Sequence, residues 1–307
     1  MKNHTLAARI PLPANYRRAN FLAYHDRDAQ RTAETATATM LEKGIVWSGN
    51  PACLRIEFTV PDAVVTLAVN GPVDESGDAS LHTMVTRMLG LNQDTEGFEA
   101  AHGNHPLLGA IIASRQGLRV AQTASAFEAL CWAVIGQLVS VSAAIAMRRR
   151  FILAAGIRHS DGLWCFPDPE HVAVLNEDTL RNAGLSRTKA KCLLALSTAV
   201  LQGNLPVETW TERLRNGSIS IEAITTMLTS IPGIGPWTVN YALLRGLDWM
   251  DGSLHGDVAV RRNLARLLGM DEQKISLREA EMWLSTFTPW RGLVAAHLWA
   301  SGRNDGN

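Results

Sequence analysis

The chain has 307 residues, 29 Lys/Arg against 29 Asp/Glu, and four widely separated cysteines. That length supports two or three domains with an ample core, while zero formal charge excludes a protein that holds nucleic acid by charge alone. Cys53, Cys131, Cys165 and Cys192 form no close pair of the kind metal sites use and read as buried thiols of a reducing cytoplasm.

The start, Met1 to Pro13, lacks the apolar core of a signal peptide. Over the first hundred residues the patterns are mixed. Asp26 to Thr37 reads as a short helix, Leu54 to Val60 alternates as a strand with one wet face, and Ala63 to Val69 suggests a second strand closed by Asn70-Gly71-Pro72. A loop from Asp74 to Ser80 and a helix from Leu81 to Leu91 follow. This is an α+β unit without visible chemistry.

Gly103-Asn104-His105-Pro106 breaks any element, so the boundary is placed there: residues 1–102 as the α+β unit, residues 103–307 as an almost wholly helical region. Ala129 to Met147 runs for 19 residues without a charge, near the length of a bilayer span. Gly136, Gln137, Ser140 and Ser142 in its middle instead predict a buried helix interrupted by a loop, and no membrane association. Arg148, Arg149 and Arg150 read as a solvated helix end or a phosphate patch. Gly184 stops one helix and Ser186 starts the next, with Arg187, Lys189 and Lys191 on solvated surface or toward a partner. Ser301 to Asn307 reads as a frayed tail.

The most informative stretch is Met227 to Arg245. Its centre, Ile231-Pro232-Gly233-Ile234-Gly235, cannot continue a helix, yet Ile221, Ile224 and Leu228 before it and Val239, Leu243 and Leu244 after it keep helical spacing. A helix, a glycine hairpin and a helix can turn several unpaired N–H groups outward, where they favour an anion such as a DNA phosphate. Spacing alone also fits an ordinary turn between helices. About a dozen residues on comes His255-Gly256-Asp257-Val258-Ala259-Val260-Arg261-Arg262, in which Asp257 precedes a helix defined by Val258, Val260, Leu264 and Leu267 and so suits an N-cap.

Together these motifs resemble the helix-hairpin-helix (HhH-GPD) DNA glycosylases, and Gly235 to Tyr241 is similar to the hairpin of their 3-methyladenine DNA glycosylase II branch. The likeness covers roughly Gly117 to Ala300 and is loose before that, where the family has a small antiparallel sheet with helices. It implies a monomeric hydrolase that acts on double-stranded DNA containing damaged bases, 3-methyladenine and 7-methylguanine first, without a required cofactor. The four-cysteine iron–sulfur cluster of other branches has no counterpart.

Carried over residue by residue, the resemblance makes Asp257 the catalytic acid, with Gly256 where the best-known member of the group has a second one. Pro232, Gly233, Ile234 and Gly235 become the DNA-binding hairpin, and the carbonyls of Thr229, Ile231 and Ile234 a cation site beside it. Trp237 stands where strand-cleaving members place a lysine nucleophile, which implies a monofunctional enzyme. Trp237, Tyr241 and Trp290 would line the base pocket, with core packing as the alternative. Leu138, a core residue on periodicity alone, would enter the duplex as a wedge with Gln137 beside it. His255 and His297 read as structural, and Asp248 and Asp251 as surface acids. Two rivals stay open: a binder of damaged DNA without turnover, and a glycosylase for deaminated or oxidised bases.

Overall fold

The computed structural model describes residues 4–270 and 275–302. Strands β1 (His4–Pro11), β2 (Glu34–Ala36), β3 (Met40–Trp47), β4 (Asn50–Thr59) and β5 (Asp62–Val69) form one antiparallel sheet in the order β1-β5-β4-β3-β2. Its registers pair Leu6 with Leu67, Leu67 with Leu54, and Ile56 with Val65. Alternation along β4 and β5 turns these apolar side chains to one buried face, which packs with α1 (Arg18–His25) and α2 (Gly77–Met88) into a core of its own.

Two expected helices shift. The chain from Asp26 to Thr37 is not helical, because the Asp28 carboxylate accepts the N–H groups of Gln30 and Thr32 and folds the segment into a turn ahead of β2. Helix α2 begins at Gly77, inside the expected loop. Neither β1 nor β3 was foreseen; β3 carries Glu42 and Lys43 where a buried strand should be apolar.

Then come α3 (Thr95–His102), α4 (Gly109–Ala113), α5 (Ala126–Gly136), α6 (Val141–Ala155), α7 (Pro169–Ala173), α8 (Glu177–Asn182), α9 (Arg187–Leu201), a 3-10 turn at Val207–Thr209, and α10 (Trp210–Arg215). The chain ends with α11 (Ile221–Thr229), α12 (Pro236–Gly246), α13 (Val258–Leu267), α14 (Leu277–Ser285) and α15 (Arg291–Ser301). Side chains of Ser125, Ser140, Asn176, Ser186, Ser220 and Ser276 cap helix starts. Among the described residues no helix is long and apolar enough to cross a membrane. Most of the expected tail, 301–307, lies outside the described residues.

Sheet and helices meet across a buried ionic cluster. Fully buried Lys43 (β3) donates to Glu34 (β2) and, at 2.7 Å, to Glu128 (α5), while Arg148 (α6) donates to Glu128 at 2.9 Å and to Glu34 at 3.1 Å. Arg149 binds Asp28 and Arg150 donates to the Ala183 carbonyl. Arg148 and Arg149 are therefore neither a solvated end nor a phosphate patch but clamp elements together, while Arg150 is exposed. Arg87 adds three bonds from α2 to the carbonyls of Thr123, Ala124 and Gly246.

These groups give stability a pH dependence. Burial pushes both carboxyls up, but Arg148 and Lys43 hold Glu34 well below the usual range, and Lys43 and Arg148 hold Glu128 below it. A depressed carboxylate stabilises the fold above the ordinary carboxylate pKa and loses that effect as pH falls further. Buried His297 is pushed down to about 4 by burial and by Arg115 and Arg17, and burial also lowers His25. The unfolded chain takes up these protons first, so stability falls between about pH 6.5 and 4, by roughly 3 kcal/mol for His297. Urea midpoints should drop across that window, and His297→Gln should flatten part of the slope; an unchanged midpoint from pH 7 to 4.5 would refute the assignment.

Candidate active site

Helix α11 ends at Thr229, and the chain reverses through a hairpin before Pro236 opens α12 at its first turn. Gly233 sits at φ 97°, in the left-handed region, and a side chain there would crowd Cys192 at 3.3 Å. Ile234 is buried and anchors the hairpin, while Pro232 and Gly233 are exposed. Among the described residues neither the Gly233 nor the Gly235 N–H has an acceptor. The hairpin thus presents free donors to solvent. The Ile231 carbonyl accepts the Ile234 N–H at 3.1 Å, the bond that closes the turn.

Gln137, just past α5, donates through Nε2 to the Gly233 carbonyl and to Thr238 Oγ1, both at 2.8 Å. It ties the loop between α5 and α6 to the hairpin. The next residue, Leu138, is fully exposed at 105% and held at φ 55°. An apolar side chain left bare on a left-handed backbone is unfavourable on both counts, so folding does not account for it. Lys189 departs from its expected surface place: its ammonium donates to the Ile135 carbonyl at 2.8 Å, near the end of α5.

Asp257 is the N-cap of α13, its Oδ1 accepting the Val260 N–H at 3.0 Å. The same carboxylate takes two indole donors, Trp299 Nε1 on Oδ1 at 3.1 Å and Trp237 Nε1 on Oδ2 at 3.3 Å. The carboxylate is half-buried, and among the described residues its hydrogen-bond donors are these two indoles and the Val260 N–H. Such a group can stabilise developing positive charge on a neighbouring atom or orient a water. Gly256 leaves the Trp237 side open; a methyl there would lie 3.8 Å from that side chain.

Trp237 and Tyr241 lie on one face of α12 with ring centres 5.3 Å apart, and Trp132 donates to the Tyr241 hydroxyl at 2.7 Å. Trp290 does not join them. It packs against His102 at 5.7 Å and Phe98 at 6.3 Å at the opposite end of α15 from Trp299, about 13 Å away along the helix. Trp299, 6.3 Å from Tyr241, takes its place.

Other groups at the site were not foreseen. The Arg245 guanidinium lies 4.4 Å from the centre of the Tyr24 ring and 5.3 Å from that of Trp299, and Arg27 lies 4.2 Å from Tyr24 and 4.6 Å from Trp132. The sheet unit therefore contributes Tyr24 and Arg27 to one wall. Asp248 and Asp251 are not free surface acids: Asp248 accepts from Gln93 at 2.9 Å, and Asp251 from Arg291 at 2.7 Å.

Elsewhere, Cys53, His159 and Asp161 bring ligand atoms within 4.8 Å of one another, the cation-ligating set among the described side chains. Burial pushes the Cys53 thiol up to about 11, which opposes metal binding there.

Comparison with known proteins shows the family of the chain. The chain is 34% identical over 194 residues to DNA-3-methyladenine glycosylase 2 of Escherichia coli, a match that spans 62% of this chain and 63% of that protein. It is 28% identical to the DNA-3-methyladenine glycosylase of Bacillus subtilis over 74% of each. In fold it is similar to the 3-methyladenine DNA-glycosylase of Archaeoglobus fulgidus, with a TM-score of 0.79 at 20% identity over 97% of this chain and 98% of that one. The pattern described as HhH-GPD superfamily base excision DNA repair protein matches residues 131–285, from α5 through the hairpin and Asp257 to α14. With half its length so matched, the chain belongs to the HhH-GPD superfamily.

Proposed function

We propose that the chain is a monofunctional DNA N-glycosylase that excises alkylated purines from double-stranded DNA. One observation carries the reading: a carboxylate, Asp257, is held by two indole N–H groups beside a glycine hairpin whose N–H groups face solvent. The hairpin takes a backbone phosphate, with the carbonyls of Thr229, Ile231 and Ile234 holding a cation next to it. Leu138 fills the gap left when the nucleotide turns out of the stack, and Gln137 couples that wedge to the hairpin.

As the bond from C1′ to the base breaks, its electron pair leaves with the base and positive charge builds on the sugar. Asp257 stabilises that charge and takes a proton from the water that adds to C1′. Trp237 cannot form a Schiff base, so the strand stays intact. The protein acts as a monomer. Residues 1–102 serve as a wall of the base pocket and residues 103–307 hold the grip and the acid. The names of the Escherichia coli and Bacillus subtilis relatives support 3-methyladenine as a substrate.

Purified protein incubated with dimethyl-sulfate-treated duplex should release 3-methyladenine and leave abasic sites uncleaved until base is added. Binding without release would favour a non-catalytic role, and prompt nicking would defeat monofunctionality. A second reading, excision of deaminated or oxidised bases, is favoured by Arg27 and Arg245, which already occupy aromatic faces where a cationic base would stack. It predicts faster release of hypoxanthine than of 3-methyladenine.

The wedge separates function from folding. Leu138→Gly relieves roughly 1 kcal/mol of left-handed strain and loosens the unfolded chain by a similar amount, so the melting temperature should hardly move. Base release should fall about tenfold, the loss of roughly 1.4 kcal/mol from the cost of holding the nucleotide out. Unchanged single-turnover rates would remove Leu138 from the mechanism.

A further inference from the structure

A second feature borders Trp299, the residue whose indole N–H is on Asp257. A cavity of about 320 Å³ opens between α1, the chain after α4, α12 and the end of α15, and Trp299 is part of its lining. Four guanidinium groups reach it: Arg17, Arg115, Arg119 and Arg245. Among the described residues that line it there is no aspartate or glutamate.

The arginines are fixed mainly by neutral groups. Arg245 donates to the Ala121 carbonyl at 2.7 Å, Arg119 to the carbonyls of Gly90 and Gln93, and Arg115 to Ser114 Oγ at 2.8 Å. Arg245 is 7% exposed, and both Arg119 and Arg245 keep a buried Nε–H without an acceptor. Arg245 meets a carbonyl and the faces of Tyr24 and Trp299, and Arg119 meets carbonyls with Glu96, Glu99 and Asp248 only at longer range, so both have lost hydration at a cost that an oxyanion in the cavity would offset. Arg115 and Arg17 also depress His297, so the positive field extends behind the cavity wall.

We infer that this cavity receives an oxyanion carried by the everted base, so that the chain excises purines whose alkyl group ends in a carboxylate as well as methylated ones. The inference rests on the glycosylase reading above. Trp299 supplies the geometry: its indole N–H is on Asp257, where C1′ would be attacked, and its ring borders the arginines. A substituent longer than methyl, extending from the base past this ring, would enter the cavity. A carboxylate there gains charge-assisted and bidentate hydrogen bonds that a methyl group cannot make. The same chemistry could come from a backbone phosphate, which the test separates.

Duplex DNA treated with diazoacetate, which carboxymethylates purines, is compared with DNA treated with dimethyl sulfate, and released bases are quantified by mass spectrometry. Carboxymethyl purines should be released within about threefold of their methyl counterparts. Arg115→Gln and Arg17→Gln should each lower carboxymethyl release about tenfold and leave methyl release within twofold. Methyl release without carboxymethyl release overturns the inference while sparing the glycosylase reading; release of neither overturns both. Equal losses on both substrates overturn it, as does a tenfold loss of affinity for an abasic duplex in Arg115→Gln, which would assign the cavity to DNA phosphate.

Discussion

Asp257→Asn is expected to reduce single-turnover base release by about 10²- to 10⁴-fold, because the charge opposing the sugar cation disappears while the geometry persists. Asparagine is as good an N-cap as aspartate, so its amide oxygen can still accept the Val260 N–H and the Trp299 indole. Its NH2 would face the Trp237 indole N–H, donor against donor, a loss of well under 2 kcal/mol at a half-buried position. Asp257→Ala should add about 1 kcal/mol of destabilisation from the lost cap. The pair distinguishes the two roles: both variants inactive and only the alanine variant less stable is the expected pattern. An asparagine variant that releases 3-methyladenine at the parent rate would end the proposed mechanism.

The largest effect on stability is expected from Lys43→Met. The methionine fits the volume, but it leaves Glu34 and Glu128 sharing Arg148 as their only remaining full cation in the buried cluster, since burial keeps His25 largely neutral. Breaking one partner out of such a cluster costs about 3–5 kcal/mol. Replacing Lys43, Glu34 and Glu128 together by apolar residues of similar volume should recover much of that loss, because no charge is then stranded. Denaturant unfolding measures both. A loss below about 1 kcal/mol in the single variant would mean that water reaches the cluster.

How much of this was legible in the sequence depended on the range of the signal. The hairpin, the capped start of α13 and the break between α5 and α6 are local, fixed by Pro232, Gly233, Asp257 and Gln137 and their neighbours, and they could be read directly. Choosing between Trp290 and Trp299 needed more. They lie nine residues apart at the two ends of α15, and only the contacts of α13 and α3 with that helix decide which indole meets Asp257. Strand β3 escaped for a related reason: Lys43 breaks the apolar alternation, and its carboxylate partners stand 9 and 85 positions away. Arg148 and Arg149 looked solvated because nothing adjacent could neutralise them; their partners come from Glu34, Asp28 and Glu128. Tyr24 sits in a stretch without any motif, so its arrival at Arg245 is a product of tertiary packing.

The cross-links through Lys43, Arg148 and Arg87 bear on timing. Tyr24 comes from the N-terminal unit and Trp299 from the last helix, and one guanidinium, that of Arg245, stacks against both. To spread them apart would strip that cation of two rings and pull at the buried ionic cluster. On the proposed glycosylase reading, the aperture is set before a damaged base reaches it. Stopped-flow traces with a fluorescent reporter on Tyr24's helix should be flat while the duplex itself bends.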